Sequence, residues 1–385
     1  MNFRQKYQHL DKKEFAIFLN GIKSSPDTEH FLLSTRTPYF FHYSRETMAA
    51  LLKITSLQSE LDILIENFPI FYRTKLLKTM ILSEVESTNR IENIISYADD
   101  IFSALNNVKN VKDPSITYMV NAYTKILDDI VIDINTLADI RTYYNQLVSK
   151  AISETNKPDG KYFRKGSVQI FENNVPIFRG FSGEANINEG MKEFIKVYNS
   201  DMPTLLKAIL SHYIIETVHP FYDGSGRLGR YLLTAKIYEE TNSLTAFWVS
   251  TALEKSRIEY QNSFKRARHP NEYGCLNAFV EEILEMLIEE FEYCKDLLKE
   301  KLFEMNNIIP LEGLSKVEQV VYEEIKKASV VSFYGITNEE IMNNQNISKR
   351  SLISTIKKFK EMGILEETNI GKKIYHRLDI ESTYM

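Results

Sequence analysis

The stretch from His219 to Arg230 constrains the fold of this chain most strongly. It reads HPFYDGSGRLGR, which combines a histidine, an aspartate, three glycines and two arginines. Residues 205–216 precede it at helical spacing, and residues 227–241 follow it as a second helical pattern. We therefore predict a loop between two helices, in which Gly224 and Gly226 leave backbone N–H groups free to bind a phosphate at the N-terminus of the second helix.

The same glycines also spell the dinucleotide-binding pattern G-x-G-x-x-G, at Gly224, Gly226 and Gly229. That fingerprint requires a strand before it and a βαβ unit around it. Here a helix leads into the loop. The context favours transfer of a phosphate-linked group over hydride chemistry.

Side-chain chemistry suggests roles for four residues of the loop. His219 titrates near neutrality and can accept a proton from an attacking hydroxyl, so it is the candidate general base. Asp223 offers a hard oxygen ligand for Mg²⁺. Arg227 and Arg230 lie on one face of the first helical turn and present planar donors to phosphate oxygens. The structural alternatives are a helix-capping histidine, an Asp-Gly turn and two surface charges.

The loop resembles the signature of Fic-domain proteins, H-P-F-x-(D/E)-G-N-G-R-x-x-R, at every position except Ser225. The resemblance implies a protein adenylyltransferase that uses ATP and Mg²⁺, moves AMP to a Ser, Thr or Tyr hydroxyl of a target protein and releases pyrophosphate. It implies that the nucleotide-binding residues include Phe221, Asp223, Gly224, Ser225, Gly226, Arg227 and Arg230. We expect the Phe221 ring itself to be an anchor in the core.

Ser225 stands where the family usually has an asparagine that helps to bind the nucleotide phosphates. A serine keeps a hydrogen-bonding oxygen but loses the amide donor and some reach. The backbone N–H groups of the loop do not depend on that side chain. We therefore expect nucleotide binding to survive and the catalytic rate to be affected.

An upstream stretch, TNRIEN at residues 88–93, is similar to the inhibitory motif (S/T)-x-x-x-E-(G/N) of many Fic proteins. It lies in a pattern predicted to be helical from Ile81 to Ile95. The resemblance implies that Glu92 pairs with Arg230 and prevents ATP from adopting a productive pose. A carboxylate at this place would compete with a phosphate for the same charge-assisted hydrogen bonds. A solvated helix glutamate is the alternative.

Residues 166–180 are rich in β-forming residues on both sides of Asn173 and Asn174, which predicts a β-hairpin. Fic proteins carry such a flap near the active site. Its exposed edge could pair with an extended segment of the target and hold the target hydroxyl near His219. The alternative is a loop that only covers the core.

A second stretch after the loop, Arg257 to Phe264, resembles a Fic segment that lines the adenine pocket, with Gln261 in place of a second tyrosine. The resemblance implies that Tyr260 stacks on the base. The alternative is a buried tyrosine on a core helix.

The fold class predicted for the whole chain is mainly α: a Fic-type helical core with a β-hairpin flap and a C-terminal winged helix-turn-helix domain. We assign residues 1–114 to an N-terminal helical region with the inhibitory motif, 115–306 to the Fic core and 311–385 to the winged helix. After an irregular start, two or three helices are expected from Phe31 to about Ile95. The last core helix is expected from Asn277 to about Lys301.

Composition fits an intracellular protein. The chain has 385 residues, a net charge of −5 and two cysteines, which indicates neither a disulfide framework nor a metal cluster. Its start is polar and lacks the apolar run of a signal peptide, and no segment is long and uncharged enough to span a bilayer. We expect a cytoplasmic location without a membrane partner.

The C-terminal pattern predicts a helix at Ser315–Ala328, a short helix capped by Thr337, a helix at Ser348–Met362 and two strands around Gly371. Many Fic proteins carry a winged helix here. DNA contact is conceivable because the third helix and the wing tip hold clustered basic residues, Lys349, Arg350, Lys357, Lys358, Lys360, Lys372 and Lys373. Neighbouring glutamates offset these charges, so we favour a protein-contact or architectural role.

Three hypotheses stay open from the sequence. The first is an adenylyltransferase restrained by Glu92, the second a winged-helix transcription regulator whose Fic pocket only senses a nucleotide, and the third a Fic enzyme that removes AMP. The resemblance implies a target protein as partner, with the chain itself among the candidate targets and a homodimer among the candidate states.

Overall fold

Within the described residues the first elements are a helix and a β-hairpin, which the expected irregular start did not include, and the two helices expected between Phe31 and about Ile95 begin only at Arg45. Helix α1 (Lys12–Lys23) begins at Asp11, whose side chain forms a capping box with Glu14. Strands β1 (Thr28–Phe31) and β2 (Tyr39–His42) then pair antiparallel. Phe40 and Phe41 in β2 are buried, and the main chain of Phe40 exchanges hydrogen bonds with residues 274 and 276.

Two 22-residue helices follow, α2 (Arg45–Glu66) and α3 (Ile70–Ile91). The first is capped by Ser44, and the second begins directly after Pro69. Helix α3 ends one residue before Glu92, which is its C-cap residue. The inhibitory-motif glutamate therefore lies at a helix end and not inside a helix running to Ile95.

The centre of the molecule is a bundle around α8 (Thr204–Val218) and α9 (Ser225–Thr241), the helices on either side of the glycine-rich loop. Nearly every residue of both helices is buried. The long helix α12 packs mainly against α2. The elements of this part are α4 (Ala98–Leu105), α5 (Pro114–Ile126), α6 (Leu137–Leu147), β3 (Gln169–Glu172), β4 (Val175–Arg179), α7 (Glu184–Tyr198), α8 (Thr204–Val218), α9 (Ser225–Thr241), α10 (Val249–Lys255), α11 (Arg257–Ala267) and α12 (Asn277–Asn306), with short 3₁₀ turns at Glu154–Asn156, Leu244–Trp248 and Pro270–Glu272.

The C-terminal unit consists of three helices and a small antiparallel sheet. Capping boxes at Ser315 and Thr337 start its first two helices. The strands are ordered β5-β7-β6, and the element ends differ from the predicted ones by no more than a few residues. The elements are α13 (Lys316–Val331), β5 (Ile336–Thr337), α14 (Asn338–Gln345), α15 (Lys349–Glu361), β6 (Leu365–Ile370) and β7 (Lys373–Leu378).

This unit packs directly on α3. The Lys75 ammonium donates to the backbone carbonyl of Gly335 at 3.1 Å and pairs with Glu340 at 2.9 Å, and the Thr79 hydroxyl donates to the carbonyl of Val331 at 3.1 Å. One hydrophobic core runs from Phe31 to Leu378. The domain boundaries drawn from the sequence stay predictions.

These descriptions come from a computed structural model and cover Phe3 and residues 7–33, 38–108, 111–128, 132–148, 150–172 and 175–378. Within these ranges, none of the helices combines the length and apolar character needed to cross a bilayer.

Candidate active site

The loop between α8 and α9 is held by an aromatic anchor. The Phe221 ring is fully buried and stacks on Tyr144, with 3.7 Å between ring centroids, while Phe163 meets it edge-on at 5.6 Å. The Tyr144 hydroxyl also donates to the backbone carbonyl of Asp223 at 3.1 Å. The Phe221 side chain thus anchors the loop in the core. Any contact between this residue and a nucleotide would be made by its backbone.

Gly224 ends the loop and directly precedes the first residue of α9. It is the N-cap residue, with φ +83°, a left-handed conformation that favours glycine. A Cβ there would lie 2.9 Å from Val148 and 3.3 Å from Tyr144. The glycine therefore lets the loop turn tightly enough to aim the free N–H groups of α9 into the site.

Ser225 lies under the loop and does not point into the site. Its hydroxyl accepts a hydrogen bond from the backbone N–H of Phe221 at 3.0 Å and donates to the Phe221 carbonyl at 3.3 Å, and the residue is fully buried. The serine oxygen that the sequence suggested for phosphate binding is engaged with the loop backbone.

His219 caps the C-terminus of α8 in a left-handed conformation, with φ +51°, which is uncommon for a residue with a side chain. Its Nδ1 atom is buried 4.0 Å from a Glu216 oxygen, and 17 % of the side chain is exposed, which leaves Nε2 as the candidate base. Burial lowers the pKa of His219 to about 4, with Glu92 opposing the shift and the Arg164 and Arg268 cations adding to it. The imidazole is therefore neutral at physiological pH and able to accept a proton.

Asp223 and Arg227 form a pair at the first turn of α9. The Arg227 guanidinium is 2 % exposed and donates to the Asp223 carboxylate at 2.9 Å. Its Nε is buried and makes no hydrogen bond within the described ranges. A buried donor without an acceptor is costly, so this atom fits a site in which an anion supplies the missing acceptor.

The Asp223 carboxylate is 39 % exposed at the mouth of the loop. Magnesium commonly binds one or two protein carboxylates together with substrate phosphates and water. No group of three or more acidic, histidine or cysteine side chains within the described residues is arranged to hold a metal. The Asp223 carboxylate is the oxygen donor at this place that could serve as one ligand of a metal ion.

Two of the three guanidinium nitrogens of Arg230 bind the end of α3. Its Nε donates to the Thr88 hydroxyl at 2.8 Å, and one terminal nitrogen donates to the Thr88 carbonyl at 3.1 Å and to the Glu92 carboxylate at 2.6 Å. The arginine is 1 % exposed and Glu92 is 37 % exposed. Thr88 and Glu92 lie one helical turn apart, and both thus accept hydrogen bonds from the same guanidinium.

The Glu92 carboxylate also lies against the backbone at the start of α9. A Cβ on Gly226 would collide with the Glu92 oxygen and come within 3.1 Å of Arg230. The absence of a side chain at Gly226 lets an anionic group reach the helix N-terminus. In this conformation that anionic group is the glutamate of the chain itself.

The charges around this pair are strongly coupled. Burial alone would raise the pKa of Glu92, but the Arg230 cation holds it below its ordinary value. Burial raises the pKa of Glu216 to about 7, because Arg230 and Arg268 offset only part of the desolvation and Glu92 adds to it. Glu92 is therefore the carboxylate that stays ionised beside Arg230.

Tyr260 lies in the packed core. The residue is 3 % exposed, its hydroxyl is 2.7 Å from Nε2 of His212, the two rings are stacked, and Phe264 packs edge-on at 5.4 Å. This is the arrangement of the alternative reading, a buried tyrosine on a core helix. In this conformation the ring is covered and does not offer a surface for a base.

The predicted flap is present as two antiparallel strands, β3 and β4, with an irregular register between Ile170 and Phe171. The predicted turn at Asn173 and Asn174 lies outside the described residues. The root of the hairpin adjoins the loop, since a Cβ on Gly180 would lie 3.1 Å from the His219 Cβ.

Several residues of the site carry no signal in the sequence. Tyr144, Glu216 and Arg164 lie outside the motif stretches, so only the folded arrangement brings them to the loop, whereas Thr88 is the first position of the inhibitory motif. Glu216 precedes His219 by one helical turn, and its helical spacing was the single hint available.

Residues 135–235 match the model of the Fic/DOC family. The structure is similar to a crystal structure of a Fic family protein from Desulfovibrio desulfuricans G20, with a TM-score of 0.53 and 17 % identity over 90 % of this chain and 98 % of that one. This likeness shows the fold.

Two further solved structures have lower TM-scores. They are Fic-1 from C. elegans, with 0.45 and 17 % identity over 66 % of this chain and 74 % of that one, and a Fic domain containing signaling protein from Bacteroides thetaiotaomicron VPI-5482, with 0.46 and 14 % identity over 64 % and 97 %. These likenesses are too weak to support a conclusion. The family match over residues 135–235 and the fold likeness agree with each other.

Proposed function

We propose that the protein is an adenylyltransferase that moves AMP from ATP to a hydroxyl side chain of a target protein. The observation that carries the proposal is the convergence of a neutral histidine, an anion cradle and a buried arginine pair at one loop. Fic domain proteins are generally transferases, and the Fic/DOC match supports that class of chemistry. ATP chemistry also fits the cytoplasmic location expected from the sequence.

In the proposed reaction the target hydroxyl oxygen attacks the α-phosphorus of ATP. A new P–O bond forms to the target, the bond from the α-phosphorus to the bridging oxygen breaks, and pyrophosphate leaves. His219 takes the hydroxyl proton, which its lowered pKa permits. Arg227, Arg230 and the N-terminus of α9 bind the phosphates, and a Mg²⁺ ion on Asp223 would neutralise their charge.

The conformation described here would be the restrained one. Glu92 holds Arg230 and fills the cradle at Gly226, so a terminal phosphate and Glu92 would compete for one place. Two like charges cannot share this buried site without a large penalty. We propose that Glu92 must withdraw before ATP binds productively.

The test is incorporation of α-labelled ATP into the purified chain and into lysate proteins. Wild type, Glu92→Gly and the double variant Glu92→Gly/His219→Ala are compared with Mg²⁺ present. We expect Glu92→Gly to label most strongly and the double variant to show no label. Label that survives removal of His219, or no label in Glu92→Gly although it binds ATP, would refute the proposal.

Glu86→Gln is the matched control. Glu86 lies on the same helix and forms an exposed pair with Arg90 at 2.9 Å, away from Arg230. It should label as weakly as wild type. Release of activity by this variant would mean that general loosening of α3, and not loss of the Glu92 carboxylate, activates the enzyme.

We further infer that the C-terminal unit is a winged helix with a protein-contact or architectural role. Four of its lysines pair with glutamates, at distances from 2.6 to 3.8 Å, which weakens the field a phosphate backbone would need; the pairs are Lys357–Glu361, Lys358–Glu318, Lys360–Glu367 and Lys373–Glu339. The measurement is binding of the protein to a DNA duplex. Sequence-specific, salt-dependent binding that ATP alters would instead favour the transcription regulator.

A further inference from the structure

Arg164 is a fully buried cation at the foot of the active-site loop. It lies between the 3₁₀ turn at Glu154–Asn156 and strand β3, outside every motif of the sequence. None of its described hydrogen bonds goes to a carboxylate. A buried charge without an anionic partner is costly and is retained only where other bonds compensate for it.

All of those bonds go to main-chain carbonyls around His219. The Nε atom donates to the carbonyl of His219 at 2.8 Å, one terminal nitrogen donates to that of Val218 at 3.4 Å, and the other donates to that of Gly166. The backbone N–H of Arg164 also donates to the carbonyl of Pro220 at 3.1 Å. One residue thus binds three consecutive residues of the catalytic loop.

The geometry explains why a cation is suitable here. Val218 is the last residue of α8 and His219 is its C-cap residue, and the terminal carbonyls of a helix lack helical partners and carry the negative end of the helix dipole. A glycine in the left-handed conformation is the usual way to end a helix at this point, but His219 occupies it. Such strained backbone persists only where the surroundings fix it, and the Arg164 fork bonds the strained residue directly.

Arg164 also reaches the root of the flap. It binds the Gly166 carbonyl just ahead of β3, and a Cβ on Gly180, just after β4, would lie 2.9 Å from its terminal nitrogen and 3.1 Å from the His219 Cβ. The backbone N–H of Phe181 in turn donates to the Val218 carbonyl at 3.2 Å. The two ends of the hairpin and His219 therefore all lie against the Arg164 guanidinium.

We propose that Arg164 is a positioning residue, which holds His219 in its left-handed conformation and fixes the spacing between the base and the flap. This inference rests on the proposed function, because the spacing matters for a hydroxyl presented by a target protein. It predicts that the planar fork is required and not the positive charge alone, since a lysine ammonium cannot form the same set of in-plane bonds.

A second consequence concerns the charge around the imidazole. His219 faces two carboxylates, Glu92 and Glu216, and two cations, Arg164 and Arg268. Removing the Arg164 cation takes away one of the influences that lower the pKa of His219, so the pKa should rise. Arg164→Lys keeps the charge and should shift it less than Arg164→Met.

The experiment has a structural readout that does not depend on activity. Histidine labelled with ¹³C and ¹⁵N is introduced into Glu92→Gly and its Arg164→Lys and Arg164→Met derivatives, and the His219 signals are assigned by their loss in His219→Ala. We expect both Arg164 variants to move the His219 Cα signal away from the left-handed position and Arg164→Met to raise the ring pKa. Unchanged Cα and ring signals in folded Arg164→Lys and Arg164→Met would overturn the proposal.

Kinetics supply the second readout. In the Glu92→Gly background, Arg164→Lys should lower kcat for labelling about tenfold or more and leave the KM for ATP within about twofold, since Arg164 touches the base and not the phosphate cradle. Equal loss in kcat and in ATP binding would refute a positioning role. If Glu92→Gly itself does not label, the proposed function fails, while the NMR signals still decide the role of Arg164.

Arg266→Lys is the matched control. Arg266 is also held by several hydrogen bonds, but its partners are Glu259 and Glu282 on α11 and α12. It should leave both the His219 signals and kcat unchanged. A similar effect from Arg266→Lys would mean that the assay reports loss of any well-bonded arginine.

Discussion

The Glu92 carboxylate lies 2.6 Å from the Arg230 guanidinium and directly against the backbone of Gly226. One anionic side chain thus pairs with the arginine and lies against the first turn of α9. Since α3 ends at Ile91, Glu92 is its C-cap residue and lies just beyond the helix. Under the proposed function, Glu92 would have to leave this place before a phosphate could bind there.

Glu92→Gln should activate the enzyme less than Glu92→Gly. The amide keeps the shape and one acceptor but loses the charge, so its hydrogen bond to Arg230 is weaker than that of the carboxylate, in which both partners are charged. We expect labelling to rise in the order wild type, Glu92→Gln, Glu92→Gly, with the last on the order of tenfold or more above wild type. Equal labelling by wild type and Glu92→Gln would show that the charge is not the brake.

Gly226→Ala should abolish labelling even when the brake is removed. The added Cβ would occupy the place of the Glu92 oxygen and crowd Arg230, so a phosphate could not enter either. Calorimetry of ATP binding to Glu92→Gly and to Glu92→Gly/Gly226→Ala measures the effect, and we expect at least about tenfold weaker binding, or about 1.4 kcal/mol.

Gly21→Ala is the control for that substitution. Gly21 lies in α1, and a Cβ there meets nothing within 4 Å. Alanine is favoured over glycine inside a helix by about 1 kcal/mol, so this variant should keep full ATP binding and gain stability. Tight ATP binding by the Gly226 double variant would place the phosphates somewhere other than the start of α9.

The helices on both sides of the loop were predictable because their apolar spacing and the glycines between them leave few alternatives. The position of Glu92 opposite Arg230 was suggested by a short motif, and the salt bridge lies there. The covered ring of Tyr260 could not be read from the sequence, since an aromatic residue at helical spacing suits a pocket wall and a core equally well. Only packing against His212 and Phe264 distinguishes the two.

Hydrogen bonds between residues far apart in the sequence could not be predicted for the same reason. Arg164 precedes His219 by 55 positions, and nothing in its neighbours signals a partner. The N-terminal hairpin was missed because its aromatic run resembles a helix start as much as a strand until residues 274–276 are seen to cover it. Local patterns identify elements, whereas the site depends on contacts between distant elements.

Ser225→Ala should cost stability without weakening nucleotide binding. The hydroxyl serves the Phe221 backbone, and leaving a buried N–H without an acceptor costs about 1–3 kcal/mol. Urea denaturation should show the loss, while the KM for ATP in the Glu92→Gly background should stay within about twofold. A large rise in KM with unchanged stability would mean that the serine contacts the phosphates after all.

Labelling should persist in mild acid, well below the ordinary titration range of histidine. Burial lowers the pKa of His219 to about 4 while Glu92 opposes that shift, so removing Glu92 lowers the pKa further as long as the imidazole stays buried. An imidazole with a lowered pKa stays neutral at pH values above that pKa. As the pH falls through the pKa, it becomes protonated and can no longer act as a base. At pH 5.5 a pKa of 4 leaves about 97 % of the imidazole neutral, against about 9 % for an ordinary pKa of 6.5.

The measurement is kcat/KM for ATP in Glu92→Gly between pH 5 and 8, which reports the free enzyme. We expect a nearly flat profile down to pH 5.5 after correction for ATP binding, measured at the same pH values on Glu92→Gly/His219→Ala. A profile that is half-lost near pH 6.5 would show that the imidazole is solvated in the active conformation, and that withdrawal of Glu92 opens the pocket around the base to water.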